Sequence, residues 1–152
     1  FSGMHTLDIL RLEKKYLHWG HDITSENNPL EAGLSFAVSL KKNENFIGRD
    51  VIEKIIKKPL KKSLELFSIN QKKIRPGTPL ILHDEPLYFR DKIVGSTTSA
   101  NFSFCYNKNL CLAYVNNDVD KNCLSIEVAG KKYPLSLEKI PLHDASSMLM
   151  RN

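Results

Sequence analysis

Beyond Pro59 the chain is a succession of short runs in which apolar and polar residues alternate. They are Ser63 to Ile69, Leu80 to Leu82, Lys92 to Ala100, Leu110 to Val115, Leu124 to Val128 and Lys132 to Leu137. A period of two puts one face of each run into a core and the other outside it, the pattern of a half-buried strand. Turn residues separate the runs, among them Arg75-Pro76-Gly77, Asp84-Glu85-Pro86 and Ala129-Gly130-Lys131. Short strands at this spacing predict a compact antiparallel barrel or sandwich.

The first 58 residues follow another pattern. Leu7 to Leu17 reads as a helix with Met4, Leu7, Leu10 and Leu17 near one face and Gly20 as its stop. His21 to Pro29 is a polar loop, and Leu34 to Leu40 alternates as a strand does. A second helix is predicted from about Arg49 to Lys57, with Val51, Ile52, Ile55 and Ile56 as its apolar stripe and Pro59 ending it. Two helices and one strand are too few to close a core. Residues 1–58 are therefore expected to be part of a larger domain, and residues 59–152 a small β domain, giving an α+β chain. Of the 152 residues 41% are hydrophobic, enough for a packed core. No apolar run approaches the roughly 18–20 residues that cross a bilayer. The chain opens on Phe1 without a basic-then-apolar leader, the expectation for a processed chain or a piece of a longer one.

The formal net charge is +5, and much of it lies between Lys41 and Lys62. Lys41, Lys42, Arg49, Lys54, Lys57, Lys58, Lys61 and Lys62 there face only Glu44, Asp50 and Glu53. Such a cluster reads first as a solvated helix face and linker, and second as a site for phosphates or another anionic ligand. Phe46 is the one aromatic residue within that stretch, and no series of stacking aromatics is interleaved with the lysines, which argues against a nucleic-acid groove. Three cysteines, Cys105, Cys111 and Cys123, form no CxxC pair, so reduced, buried, structural thiols of an intracellular chain are expected.

Three groups of residues could carry chemistry. Glu13 lies on the polar side of the predicted first helix, where it would pair with Lys14 or Lys15, or accept two N–H bonds from a flat, amidine-like ligand edge. His18, Trp19, His21 and Asp22 form a polar-aromatic cluster. Two histidines three apart can bind zinc, but no third ligand is placed, so loop anchoring or stacking is the better reading. Gly95-Ser96-Thr97-Thr98-Ser99-Ala100-Asn101 could bind an anion through its backbone. Glycine and hydroxyls inside a strand pattern more often mark a bulge or barrel corner. No phosphate loop, dinucleotide fingerprint or nucleophile elbow is present. Residues alone thus lead to a two-part α+β chain with a candidate anionic-ligand site.

Several strings together resemble one family. Gly3 to Glu13, continued by Lys14-Lys15-Tyr16-Leu17-His18-Trp19-Gly20-His21-Asp22-Ile23, is similar to a signature of folate-dependent aminomethyltransferase-like domains of the glycine cleavage T-protein type. Pro29-Leu30-Glu31-Ala32-Gly33-Leu34, Phe46-Ile47-Gly48-Arg49-Asp50, Val94-Gly95-Ser96-Thr97-Thr98-Ser99 and Cys111-Leu112-Ala113-Tyr114-Val115 resemble further family strings, in family order. Lys14, Tyr16 and the His18-Trp19 pair look most like the carboxy-terminal part of sarcosine and dimethylglycine dehydrogenases.

The resemblance implies that residues 1–58 close a folate-binding domain and residues 59–152 form its terminal β-barrel. It implies tetrahydrofolate, with its polyglutamate tail, as ligand, and an upstream flavin domain of the same polypeptide carrying FAD. That domain would oxidise an N-methyl amine, and the one-carbon unit would pass to the folate as 5,10-methylene-tetrahydrofolate. A mitochondrial matrix location is implied for a eukaryotic source, a cytoplasmic one otherwise, with no nucleic-acid or membrane partner. Glu13 matches the family glutamate that holds the pterin, orienting N5 and N10 toward the incoming carbon. Lys42 (or Lys41) falls where relatives carry a basic residue, suited to the glutamyl tail as a point charge. Tyr16 and Trp19 would pack around the site, and no residue of the chain is expected to be catalytic or to bind a metal.

Departures from the family pattern bound what the chain does alone. The family's essential aspartate and the flavin-binding residues would lie upstream. Asp144-Ala145-Ser146-Ser147 has no counterpart of a tyrosine found in glycine-cleavage relatives, and lysine stands where they carry arginine. These residues alone are expected neither to oxidise an amine nor to turn over. The competing reading is regulatory, because the pyruvate dehydrogenase phosphatase regulatory subunit has a similar terminal region; Phe46-Ile47-Gly48-Arg49-Asp50 and Glu85-Pro86-Leu87-Tyr88 fit it too. The iron–sulfur assembly or RNA-modifying relatives usually show a Lys-Gly-Cys-Tyr string, which is missing here.

Overall fold

Period-two alternation is realised as six antiparallel strands that close on themselves. The computed structural model describes residues 3–69 and 79–151, without the Met150 side chain. The strands are β1 (Lys62–Ile69), β2 (Pro86–Phe89), β3 (Lys92–Ser103), β4 (Lys108–Asn116), β5 (Leu124–Val128) and β6 (Lys131–Glu138). Their order is β1-β4-β3-β2-β5-β6, and β6 returns to β1 with Phe67 opposite Leu137 and Ile69 opposite Leu135. Closure leaves no unpaired sheet edge. The barrel interior takes every second residue, including Phe67 and Ile69 of β1, Cys111, Ala113 and Val115 of β4, and Leu124, Ile126 and Val128 of β5.

The outer face of β1 and β4 carries a second apolar cluster. Leu64, Leu66, Leu110 and Leu112 are buried there against Leu12 of helix α1 (Met4–Lys14). Burying one leucine completely contributes about 1.5–3 kcal/mol, so Leu12 is the main apolar contact of α1 with the barrel. Beside this strip runs a polar one. Ser99 and Ser103 of β3 are buried outward-facing residues opposite Leu112 and Lys108. Both receive side chains from α1: Arg11 Nη2 donates to Ser99 Oγ at 2.7 Å, and Ser103 Oγ donates to Glu13 Oε1 at 2.5 Å.

What locks α1 in this orientation is the fully buried carboxylate of Asp22. Arg11 Nη1 donates to its Oδ2 at 2.6 Å, and the His18 amide donates to the same oxygen at 2.8 Å. Thr98 Oγ1 and Ser99 Oγ each donate to Oδ1 at 2.6 Å. Arg11 Nε in turn holds Asp8 at 2.9 Å. Two consecutive β3 residues can reach one carboxylate because the strand shifts register between Thr97 and Ser99. The extra residue of this bulge turns Thr98 to the same side as Ser99. The hydroxyl-rich string is therefore a bulge, as its composition predicts, and its hydroxyls serve a carboxylate.

Several sequence expectations are corrected here. Helix α1 ends at Lys14, not Leu17, because Lys15 adopts a left-handed conformation (φ 55°) and returns its amide to Leu12, while the Tyr16 amide bonds Arg11. Gly20 (φ 89°) instead serves the following turn. Met4, Leu7 and Leu10 are exposed, and the buried face is Leu12 and Glu13. The complement of an outer strand face rich in hydroxyls is polar, so Met4, Leu7 and Leu10 are left outside, while Leu17, beyond the helix, packs on the outer apolar cluster. Leu34 to Leu40 forms no strand; Ser35–Ala37 is a short 3-10 turn. Leu80 to Leu82 is also not a strand. Ile81 does enter the core, but the Leu82 carbonyl is taken by Thr97 Oγ1 at 2.7 Å. Pro86, predicted in a turn, opens β2. Helix α2 (Arg49–Ile55) forms about as expected, with none of its residues buried. The Arg75-Pro76-Gly77 turn lies outside the described residues. Only Cys111 is buried; Cys105 and Cys123 are exposed, and all three are free thiols.

Three measurements test this packing. Replacing Asp22 with alanine takes the buried partner from the Arg11 guanidinium, leaving it only the half-buried Asp8, and strands the Thr98 and Ser99 hydroxyls and the His18 amide. It should lower unfolding stability by about 3–5 kcal/mol in denaturant titration, and a loss under about 1 kcal/mol would contradict the assigned role. A methyl group added at Gly95 would run into the Tyr114 carbonyl across the strand pair, so Gly95→Ala should cost at least ~2 kcal/mol. Burial pushes the Cys111 thiol up to about 12, so a thiol reagent should label only Cys105 and Cys123 in the folded protein. Cys123 should react the more slowly, because its hydrogen bond to Asp120 raises its pKa.

Candidate functional site

Glu13 is the best-placed of the residues singled out from sequence. It sits one position before the end of α1 and is only 3% exposed, against the expected surface position. Neither neighbouring lysine pairs with it. Lys14 Nζ bonds Asp144, at 2.9 Å to the backbone carbonyl and 3.0 Å to Oδ2, and Lys15 Nζ lies 3.9 Å from Glu65. Among the described residues the Glu13 carboxylate has a hydroxyl partner, Ser103, and no cation within ion-pair distance.

The main chain at Glu13 is held from the carboxy-terminal side. The His143 amide donates to the Glu13 carbonyl at 3.0 Å. Leu142 packs on the outer apolar cluster, and its carbonyl accepts from Tyr106 Oη at 2.8 Å. Lys14 holds the Asp144 carboxyl below the usual carboxylate range, so the tether stays ionised through neutral pH. Residues 142–144 thus form a strap across the end of α1. Nothing in the strap's own sequence identifies it, since the contacts span about 130 positions.

The other three candidates are exposed and lie on different parts of the surface. Tyr16 has Lys14 Nζ 5.7 Å from its ring centroid and borders a groove of about 300 Å³ with Leu7, Leu10, Asp144 and Leu149. Trp19 is 67% exposed in the turn that Asp22 anchors, where the Gly20 amide bonds the Ile23 carbonyl at 2.8 Å. Lys42 borders a separate groove of about 400 Å³ with Val38, Glu44 and Phe46. Its backbone is fixed by Arg49, whose guanidinium donates to the carbonyls of Leu40, Lys42 and Glu44 at 3.0, 2.9 and 3.2 Å. Arg49 is therefore occupied within the loop, while the lysines of that stretch are turned to solvent.

The His18, Trp19, His21 and Asp22 cluster anchors a loop, as composition favours. The His18 and His21 ring centroids are 4.5 Å apart. His5 and His83 border the same cleft, yet among the described residues no three His, Cys, Asp or Glu side chains are grouped to hold a metal. Sequence reasoning missed Arg11, Ser103 and Tyr106, and gave Thr98 and Ser99 only as members of the hydroxyl string, not as partners of Asp22. That string was a signal for those two, and an isolated Ser103 was not. Tyr114 carries the one buried side-chain oxygen without a partner among the described residues. Burial first, then the charges of Glu31 and Asp22, push its phenol up to about 12.

Comparison with known proteins agrees with this architecture. Residues 1–42 match the GCVT N-terminal domain, and residues 69–144 match the glycine cleavage T-protein C-terminal barrel domain. Mitochondrial dimethylglycine dehydrogenase of Mus musculus is 33% identical over 142 residues, which cover 92% of this chain and 16% of that protein. An aminomethyltransferase of Symbiobacterium thermophilum is 40% identical over 114 residues, 74% of this chain and 28% of the relative. The 4-methylaminobutanoate oxidase (formaldehyde-forming) of Paenarthrobacter nicotinovorans is 28% identical over 99% of this chain and 18% of its own length. The crystal structure of the glycine cleavage system aminomethyltransferase T from Bartonella henselae superposes with a TM-score of 0.78, at 22% identity, over 91% of this chain and 38% of that one. The chain thus spans well under half the length of these relatives, all enzymes by name. With its barrel matched as a domain and its helical part matched in the expected order, the chain belongs to the glycine cleavage T-protein family.

Proposed function

We propose that this chain is the folate-binding end of a flavin-dependent dehydrogenase of the sarcosine or dimethylglycine type. The observation that supports it is the state of Glu13: a buried carboxylate with a hydroxyl partner and, among the described residues, no cation at ion-pair distance. A carboxylate taken out of water without a positive partner is costly, and its retention calls for a ligand that supplies N–H donors. The pterin edge of tetrahydrofolate presents two such donors in the plane a carboxylate accepts.

In this reading tetrahydrofolate supplies the nitrogen atoms, N5 and N10, that receive the one-carbon unit. The chain's own residues orient it. Glu13 fixes the rotation of the ring, and Tyr16, just past the end of α1, adds apolar cover. Lys42, on a loop stiffened by Arg49, meets the anionic glutamyl tail as a point charge. These are positioning effects, in which binding energy is used to hold reacting atoms close. The oxidation that releases the carbon belongs to an upstream flavin domain bearing FAD, and a eukaryotic source would place the protein in the mitochondrial matrix. A second reading, an aminomethyltransferase proper, is favoured by the higher identity to the Symbiobacterium relative over a shorter span.

Both readings are testable on the natural full-length polypeptide. Tetrahydrofolate titration should give saturable binding that Glu13→Ala weakens by about ten- to a hundredfold, the range for a lost hydrogen bond to a charged group. Equal affinity in the two proteins would remove Glu13 from the site. Sarcosine or dimethylglycine, added without oxygen, should bleach a bound flavin. A protein that binds folate but holds no flavin would favour the aminomethyltransferase reading.

A further inference from the structure

Glu13 is held at both ends by one closed circuit of hydrogen bonds. From its carboxylate the circuit runs to Ser103 Oγ at 2.5 Å, and Ser103 Oγ accepts the Tyr106 amide at 3.1 Å. Tyr106 Oη donates to the Leu142 carbonyl at 2.8 Å, and the next residue, His143, donates its amide to the Glu13 carbonyl at 3.0 Å. The circuit joins α1, the end of β3 with its following turn, and the carboxy-terminal strap, three segments far apart in sequence.

We infer that Ser103 is a positioning residue for the ligand site: through this circuit it fixes which edge of the Glu13 carboxylate is presented to the bound ring. The inference rests on the folate reading above. Ser103 is buried and its hydroxyl proton is given to Glu13, so its effect on the ligand runs through that carboxylate. Its hydroxyl has one proton, and the 2.5 Å contact spends it on Oε1. The amide of Tyr106 occupies a lone pair of the same oxygen, so the hydroxyl cannot rotate to another acceptor without breaking that bond. With Oε1 engaged and the backbone clamped by His143, the side chain has lost its freedom before any ligand arrives. Preorganisation of this kind raises affinity by removing an ordering cost at binding.

A double-mutant cycle on the natural full-length polypeptide tests this, with tetrahydrofolate affinity as readout. Ser103→Ala should weaken binding by about five- to tenfold in the unaltered protein and by less than about twofold when Glu13 is already alanine, the coupling expected of a residue acting through another. Ser103→Thr, which keeps the hydroxyl, should restore much of the loss. Equal losses in both Glu13 backgrounds, or no loss at all while Glu13→Ala does weaken binding, would overturn the inference and leave the folate reading standing. Unchanged affinity of Glu13→Ala itself would overturn the folate reading, and the inference with it. Tyr106→Phe cuts the circuit at a half-buried side chain; if Ser103→Ala proves unfolded by circular dichroism, this variant should show the same dependence on Glu13, and additivity there would overturn the proposal.

Discussion

The buried carboxylate of Asp22 is the interaction on which the placement of everything else depends. Taking a charge out of water is tolerable only when donors replace the lost hydration. Four do so, from Arg11 on α1, the His18 amide in the following turn, and Thr98 and Ser99 on the bulge of β3. Because these donors come from three segments, helix α1 cannot roll on the barrel without leaving a charge unpaired. Apolar contacts alone would not give that rigidity. Leu12 presses on Leu64, Leu66, Leu110 and Leu112, a smooth patch that would accept several helix rotations.

Once the rotation of α1 is set, the position of Glu13 follows. Residues Ser99 and Ser103 lie four apart on β3 and face the same way, while Arg11 and Glu13 lie two apart on a helix that runs beside them. One serine serves the structural carboxylate network and the other serves Glu13. The strap of residues 142–144 then closes over the helix end, tying Lys14 to Asp144 and the Glu13 backbone to His143. The same rotation turns Met4, Leu7 and Leu10 outward. An exposed apolar stripe of this kind is a surface that other protein ordinarily covers, in keeping with relatives in which these residues form a minor part of the chain.

Much of the barrel was legible because its physics is local. Alternation picks out the strands of a half-buried sheet, and turn residues separate them, so five of the six strands were recognisable near their true bounds. Strand β2 was hidden by Pro86, which looks like a turn residue but is tolerated at the first position of a strand. The helical part was less legible. Leu34 to Leu40 alternates, yet among the described residues no neighbouring strand offers it hydrogen bonds, so the pattern has nothing to express. Glu13 was recognisable as a candidate from its family string, while its hydrogen bond to Ser103, ninety positions away, was not.

By itself the sequence determined the antiparallel β character of residues 62–138, the bulge in the hydroxyl-rich strand and the family, because each is carried by short-range pattern or by runs of neighbouring residues. Closure into a barrel was implied by the family resemblance; only the tertiary structure decided which face of α1 is buried, and that Glu13, Ser103 and the carboxy-terminal strap share one circuit. Those outcomes turn on where a buried charge can find its donors. Asp22 finds two of its donors, and Arg11 an acceptor, on a strand more than seventy residues downstream, a pairing that no local periodicity encodes.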